Sequence, residues 1–134
     1  MPSDTPIPGS PADWLRYARS DLALARQQDL PEILLETLCF HAQQAVEKSL
    51  KAVFVHQGMV FPYTHDLAQL ITRAKASGIS WPEALDTAAE LTEYAVGSRY
   101  PGVYERVTDE DYREAIEVAQ CVFNWANNIV RSTE

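Results

Sequence analysis

The apolar residues between Leu34 and Val53 return every three or four positions, which is the spacing of a helix face and not of a β-strand. On a helical wheel they fill an arc of nearly half the circumference. An apolar arc of this width predicts a helix that packs against more than one neighbour. The residues in the arc are Leu34, Leu35, Leu38, Cys39, Ala42, Ala45, Val46, Ser49, Leu50 and Val53.

Four further segments show helical spacing, and short clusters of helix-breaking residues separate them. The last segment has the three-four spacing of a bundle seam. Because helices joined by short loops pack antiparallel, we predict an all-α, up-and-down antiparallel bundle of about five helices. The predicted helices cover about residues 12–28, 31–57, 65–77, 80–97 and 108–130.

Residues with known preferences for helix ends set these boundaries. Proline favours a first turn, glycine favours the position just after a helix, and Ser or Thr favours the N-cap. The start signals are Pro31 for the second helix, Ser80 with Pro82 and Glu83 for the fourth, and Thr108 with three acidic residues for the fifth. The stop signals are Gly58 and Gly78.

The chain has 134 residues, a length that suits one domain with one core. Its first 11 residues contain four prolines, and we predict a disordered leader at 1–11, the bundle at 12–131 and a tail at 132–134. With 46% hydrophobic and 22% charged residues, the composition is that of a globular protein.

Composition also excludes several classes of function. The net charge of −8 argues against a non-specific nucleic-acid coat, because phosphate binding depends mainly on Lys and Arg. No apolar run is long enough to span a bilayer, and the N-terminus lacks a secretory signal. Cys39 and Cys121 both lie in apolar helical patterns, which predicts buried, reduced thiols in a cytoplasmic protein. The sequence contains no metal-binding or cofactor-binding motif, so we expect neither a bound metal nor a cofactor.

The polar side of the second helix is the first candidate site. It carries Gln43, Gln44, Glu47, Lys48 and Lys51, and Phe40 sits among them. One interpretation is a solvated face with a Glu47–Lys51 ion pair at the favourable spacing. The other is a ligand surface at the two lysines, with Phe40, Gln43, Gln44 and Glu47 forming a self-association surface.

Two further positions suit phosphate recognition. His65 and Asp66 open the third helix, whose free N–H groups can hold an anion, although one of these residues can equally cap the helix. Arg99 and Tyr100 lie in an irregular connection between helices, a common location for functional residues. Arg99 can bind a phosphate with two hydrogen bonds, or it can bond to nearby carbonyl groups in a structural role.

Three runs of the sequence carry a combined pattern, and they are HAQQAVEKSLKAVFVHQG (41–58), PYTHDLAQLI (62–71) and SRYPGVY (98–104). With these runs in this order, the chain resembles the HEPN domain family over about residues 12–131. The Asp21-Leu22-Ala23 turn also fits the family pattern.

The resemblance implies a dimeric helical bundle, in many cases encoded beside a nucleotidyltransferase as part of a toxin–antitoxin or related module. It also implies binding of nucleotides, or RNA cleavage by an Arg followed within a few residues by a His. Here Arg99 has no His after it, which leaves His65 and Tyr104 as candidate proton acceptors.

We therefore expect a homodimer that binds a nucleotide or RNA phosphate and acts with a nucleotidyltransferase-like partner. The alternatives are a metal-independent ribonuclease toxin with a non-standard motif, and an interaction module without a ligand. Whether the chain is an enzyme stays open from the sequence. The predicted phosphate-binding residues are Lys48, Lys51, His65, Asp66, Arg99 and Tyr100.

Overall fold

A computed structural model describes residues 5–95, 101–102 and 106–132. Within these segments the chain forms five helices and no β-strand, which confirms the predicted all-α bundle. None of these helices is both long and apolar enough to cross a membrane. In chain order the helices are α1 (Pro11–Ala25), α2 (Leu35–His56), α3 (Leu67–Ala76), a 3₁₀ helix (Glu83–Ala95) and α4 (Asp109–Arg131).

The first two helices form an antiparallel hairpin. Lys48 of α2 lies beside Tyr17 of α1, and Lys51, one turn later in α2, lies beside Trp14, one turn earlier in α1. Residue numbers thus rise along α2 as they fall along α1. This pairing agrees with the arrangement predicted for helices joined by a short connection.

The last helix, α4, runs antiparallel to α1 and parallel to α2. The hydroxyl of Tyr112, in the first turn of α4, donates a 2.6 Å hydrogen bond to the carbonyl of Ala25 at the end of α1. The N–H of Val107 donates to a carboxylate oxygen of Glu36 in the first turn of α2. The two longest helices therefore begin at the same end of the bundle.

The core forms around α2, as its wide apolar arc predicted. Fully burying a large apolar side chain stabilises a fold by about 1.5–3 kcal/mol, so this helix supplies much of the driving force for folding. Alanines between the large side chains let neighbouring helices approach closely. The buried apolar residues of α2 are Leu38, Cys39, Ala42, Ala45, Val46, Leu50, Ala52, Val53 and Phe54.

The two predicted glycine stops are confirmed, and both have the same geometry. Gly58 and Gly78 adopt positive φ values of 70° and 81° immediately after α2 and α3. After α2, the N–H of Met59 bonds to the carbonyl of Phe54, and the N–H of Gly58 bonds to that of Val55. These two bonds define a Schellman motif, which favours glycine because other residues are strained at positive φ.

The predicted start of α4 is also confirmed. The Thr108 hydroxyl accepts a hydrogen bond from the N–H of Asp111, and the Asp111 carboxylate accepts one from the N–H of Thr108. This reciprocal pair is a capping box, with Asp in place of the usual Glu or Gln. The acidic first turn also interacts favourably with the positive end of the helix dipole.

The predicted start of α2 was wrong. The helix begins at Leu35, four residues after Pro31, and no side chain caps it. The N–H of Ile33 bonds to the carbonyl of Leu30, which closes a turn with Pro31 at its second position. Proline suits that position of a β-turn as well as it suits a first helical turn, so its preference did not distinguish the two.

The fourth helix differs from the prediction in type. It is a 3₁₀ helix that begins at Glu83, after the buried Trp81. A 3₁₀ helix has three residues per turn, so residues three apart lie directly above one another. Ala88, Leu91 and Tyr94 have that spacing, and all three are buried against the core.

The two cysteines differ in burial, which corrects the prediction for one of them. Cys39 is completely buried, and burial raises its pKa to about 12. Cys121 is exposed on α4. Its apolar neighbours Val122 and Phe123 face the core instead, so Cys121 lies just outside the buried arc of the helix.

A thiol reagent should therefore modify one cysteine rapidly in the folded protein and the second only on unfolding. The fast thiol should be Cys121, because thiol reactivity needs access and a formed thiolate, both of which Cys39 lacks. The measurement is the time course of labelling by mass spectrometry. Cys121→Ser should remove the fast phase, and a fast phase that survives in this variant would contradict the assigned burial.

Candidate functional site

The polar residues of α2 form a connected hydrogen-bond network that is centred on Glu47. One carboxylate oxygen, Oε2, accepts a 2.8 Å bond from Nζ of Lys51. The other, Oε1, lies 2.8 Å from Nδ1 of His65 and accepts a 3.1 Å bond from the amide of Gln43. Gln44 in turn donates to Gln43 at 2.7 Å. We call these five residues the Glu47 network.

Glu47 is a buried charge, with only 3% of its surface exposed. Burial alone would raise its pKa, but the hydrogen bonds from Lys51 and His65 outweigh burial and hold the pKa below its usual range. The residue is therefore an anion at neutral pH. An ionised carboxylate only accepts hydrogen bonds, so Nδ1 of His65 carries the proton.

A second carboxylate, that of Asp21, contacts two further polar residues of α2, His41 and Lys48. Oδ2 of Asp21, from α1, accepts a 2.6 Å hydrogen bond from Nζ of Lys48. Oδ1 of Asp21 lies 3.0 Å from Nδ1 of His41. Asp21 and Glu47 thus anchor the two lysines of α2 from different sides. The Asp21 contact links α1 to α2, as expected where the hairpin brings the two polar edges together.

Aromatic rings accompany both lysines. Lys48 and Arg16 lie 5.8 Å and 5.1 Å from the centre of the Tyr17 ring. Lys51 lies 5.1 Å from the Phe61 ring and 5.8 Å from the Trp14 ring, distances at which a cation attracts an aromatic face. We call this surface of α1, α2 and the following loop the cation–aromatic face. Its residues are Trp14, Arg16, Tyr17, Lys48, Lys51 and Phe61.

The sequence prediction missed the aromatic half of this face. Trp14 and Tyr17 are three residues apart in α1, and Lys48 and Lys51 are three residues apart in α2. In an antiparallel hairpin, equal spacings on the two helices bring both pairs together. These equal spacings are visible in the sequence, but the contacts between the two pairs can be predicted only when the register of the hairpin is known.

The two predicted phosphate-binding lysines have different accessibility. Lys51 is buried and its charge is matched by Glu47. The Lys48 side chain is 22% exposed, and of its three ammonium donors one is bonded to Asp21. Lys48 is therefore the one of the two that can meet a ligand without rearrangement.

The predicted site at the start of α3 separates into two roles. Asp66 is the N-cap, and its carboxylate accepts a hydrogen bond from the N–H of Ala68. The N–H of Leu67 bonds to the hydroxyl of Thr92. A negative side chain thus occupies the start of α3, which is the capping role that the sequence left open beside anion binding. His65 remains accessible, with 69% of its side chain exposed.

The predicted self-association surface needs a correction at two of its four residues. Gln43 and Glu47 are buried within the monomer, where they bond to one another. Phe40 and Gln44 are partly exposed, and the Phe40 ring packs edge-on against His41. Arg99, Tyr100 and Tyr104 lie outside the described residues. Across the described segments, no group of three or more His, Cys, Asp and Glu residues is arranged to hold a metal ion.

The five-helix architecture and the polar residues of α2 place the chain among the small all-α helical-bundle domains. The chain belongs to the HEPN domain family, since its sequence matches the HEPN domain over residues 11–129. No match was found among curated proteins.

Two solved structures resemble the chain over nearly their whole length. The protein TT1696 from Thermus thermophilus has a TM-score of 0.78 and 27% identity, and the match covers 90% of this chain and 98% of that chain. ST0689, an archaeal HEPN homologue, has a TM-score of 0.72 and 28% identity, with coverage of 91% and 98%.

Replacing Glu47 by Gln should lower the free energy of unfolding by about 3 kcal/mol at pH 7, because it leaves the buried Lys51 cation without its counter-charge. The measurement is urea denaturation. Lys75→Met is the matched control, since Lys75 and its partner Asp86 form an exposed ion pair. It should change stability by less than about 1 kcal/mol.

The difference between wild type and Glu47→Gln should depend on pH in one direction. The folded pKa of Glu47 is lowered, so its stabilisation is fully present above the unfolded-state value of about 4.3 and is lost as pH falls through the folded pKa. The stability gap should stay constant near neutrality and shrink in acid. A gap that widens in acid would contradict the role assigned to Glu47.

Proposed function

We propose that the chain is a dimeric HEPN module that binds a nucleotide or RNA phosphate and acts with a nucleotidyltransferase-like protein in a two-gene toxin–antitoxin or related module. The observation that carries the binding proposal is the cation–aromatic face, where accessible cations lie beside an exposed ring. Tyr17 is 51% exposed and lies within 6 Å of both Arg16 and Lys48.

Such a face suits RNA for two physical reasons. An aromatic ring stacks on any base, and adjacent cations neutralise the phosphates on either side. Lys48 keeps two donors for a phosphate oxygen while Asp21 fixes the position of its ammonium group. Binding at Lys48 thus requires little ordering of the side chain. The net charge of −8 means that attraction must come from such a local site and not from the protein as a whole.

Lys51 and the Glu47 network support the face from beneath. Lys51 is held by one carboxylate and two rings, which fixes the position of Trp14 and Phe61. We assign it a positioning role. Arg99 and Tyr100 complete the proposed site on the strength of the sequence alone.

Lys48→Met should weaken binding of a short single-stranded RNA by about 1.5–3 kcal/mol, the usual contribution of a charged hydrogen bond. Tyr17→Ala should weaken it by about 1–3 kcal/mol per stacked base, and Tyr17→Phe should restore the affinity. The measurement is fluorescence anisotropy at fixed salt, with Lys75→Met as the control for removal of a distant surface lysine. Equal losses of RNA affinity in Lys48→Met and Lys75→Met would exclude a localised site.

A specific contact favours the ribonuclease toxin as the second candidate. His65 is exposed and its Nδ1 is fixed by Glu47, so in the neutral ring Nε2 is an acceptor that can take a proton from a 2′-hydroxyl. Arg99 would supply the cation. Metal-free cleavage of the same RNA, lost in both His65→Gln and Arg99→Ala, would replace the binder proposal with this one. If the protein neither cleaves nor binds the RNA, the remaining candidate is an interaction module without a ligand.

The protein should have about twice the monomer mass of 15.0 kDa in light scattering at micromolar concentration. Phe40→Glu should shift the mass towards the monomer, because it places a charge on the partly exposed end of the predicted dimer surface. Leu30→Glu is the matched control, since Leu30 is an exposed apolar residue outside that surface. A monomer mass for the wild type would remove the dimer from the proposal.

A further inference from the structure

A groove of about 810 Å³ lies between the 3₁₀ helix and α4. It shares no residue with the cation–aromatic face or the Glu47 network. Its floor is apolar and includes Leu85, Leu91 and Val118. An open apolar groove between two helices is a common docking site for a third helix, which lays its own apolar side along the floor.

Carboxylates form both walls of this groove. Glu90 and Glu93 come from the 3₁₀ helix, and Asp111, Glu114 and Glu117 come from α4. Within the described segments, none of the four glutamates forms an ion pair with a cation. Among the described residues that line the groove there is no Lys or Arg. The walls therefore project unmatched negative charge on either side of an apolar strip.

We propose that this acidic groove binds a basic amphipathic helix of a partner protein. The apolar face of such a helix would cover Leu85, Leu91 and Val118, and Lys or Arg residues flanking that face would meet the glutamates of both walls. Complementary charge of this kind speeds encounter and selects the partner. The groove is separate from the cation–aromatic face, and docking of a helix in it does not depend on RNA binding at that face.

The charge of the walls disfavours other occupants. A second copy of this chain, docked groove to groove about a two-fold axis, would place carboxylates against carboxylates. Nucleic acid and anionic membranes are repelled for the same reason. The carboxylates of the described segments also do not converge into a metal-binding group. A basic protein helix satisfies both the apolar floor and the acidic walls.

Cys121 provides a direct reporter, because it is exposed and lines the groove. The test uses the full chain and a synthetic helical peptide of about 14 residues, with Leu on one face and Lys on the rest, long enough to cover about 20 Å. The peptide should slow labelling of Cys121 several-fold at low salt. Glu114→Lys with Glu117→Lys should weaken peptide binding by about tenfold, measured by calorimetry.

Two controls make the result specific. Asp29→Lys with Glu32→Lys produces the same change in net charge at exposed positions outside the groove, and it should bind the peptide almost as well as wild type does. A peptide with Glu in place of Lys should not protect Cys121. Unchanged labelling of Cys121 with the Lys peptide would overturn the proposal, and so would equal losses of affinity in the two double variants.

Discussion

The interaction on which the rest of the candidate site depends is the one between Glu47 and its donors. A carboxylate with 3% exposure is costly to bury unless its oxygens are bonded, and here Lys51, His65 and Gln43 bond them. These bonds connect α2 to the segment before α3. They fix the His65 ring, and Lys51 in turn aligns the rings of the cation–aromatic face. A buried ion pair contributes little net stability against an apolar alternative, so its value here is in positioning the residues around it.

The molecule has two surfaces of opposite character although its net charge is −8. Cations and aromatic rings gather on the α1–α2 hairpin, where Asp21 and Glu47 set their positions. Carboxylates gather on the facing sides of the 3₁₀ helix and α4. A local site can attract phosphate on an acidic protein, because screening limits long-range repulsion to about a Debye length, roughly 8 Å at physiological ionic strength. One chain can thus offer separate faces to an anionic ligand and to a basic partner.

The all-α class and the central position of α2 could be predicted from the sequence, because both follow from the spacing of apolar residues. The helix ends at Gly58, Gly78 and Thr108 could also be predicted, because they follow from local backbone geometry. It was insufficient wherever one residue type serves two structures. Pro31 suits a turn as well as a helix start, and Asp66 resembles a ligand although it caps α3. Burial of Glu47 and exposure of Cys121 depended on the angle at which helices pack, which periodicity does not specify.

The 3₁₀ conformation, which the sequence did not predict, determines the shape of the acidic groove. With three residues per turn, Glu90 and Glu93 lie directly above one another on the wall, while Leu91 and Tyr94 form a parallel row towards the core. In an α-helix, residues three apart diverge by about 60° around the axis, so the two rows would wind away from the wall and the core. The buried residues of this helix are Ala88, Leu91, Tyr94 and Ala95, so its core-facing side contains the row at 88, 91 and 94 and the neighbouring Ala95. The row of Glu90 and Glu93 lies beside the buried row, and the side on which this helix packs therefore places the charges of the wall.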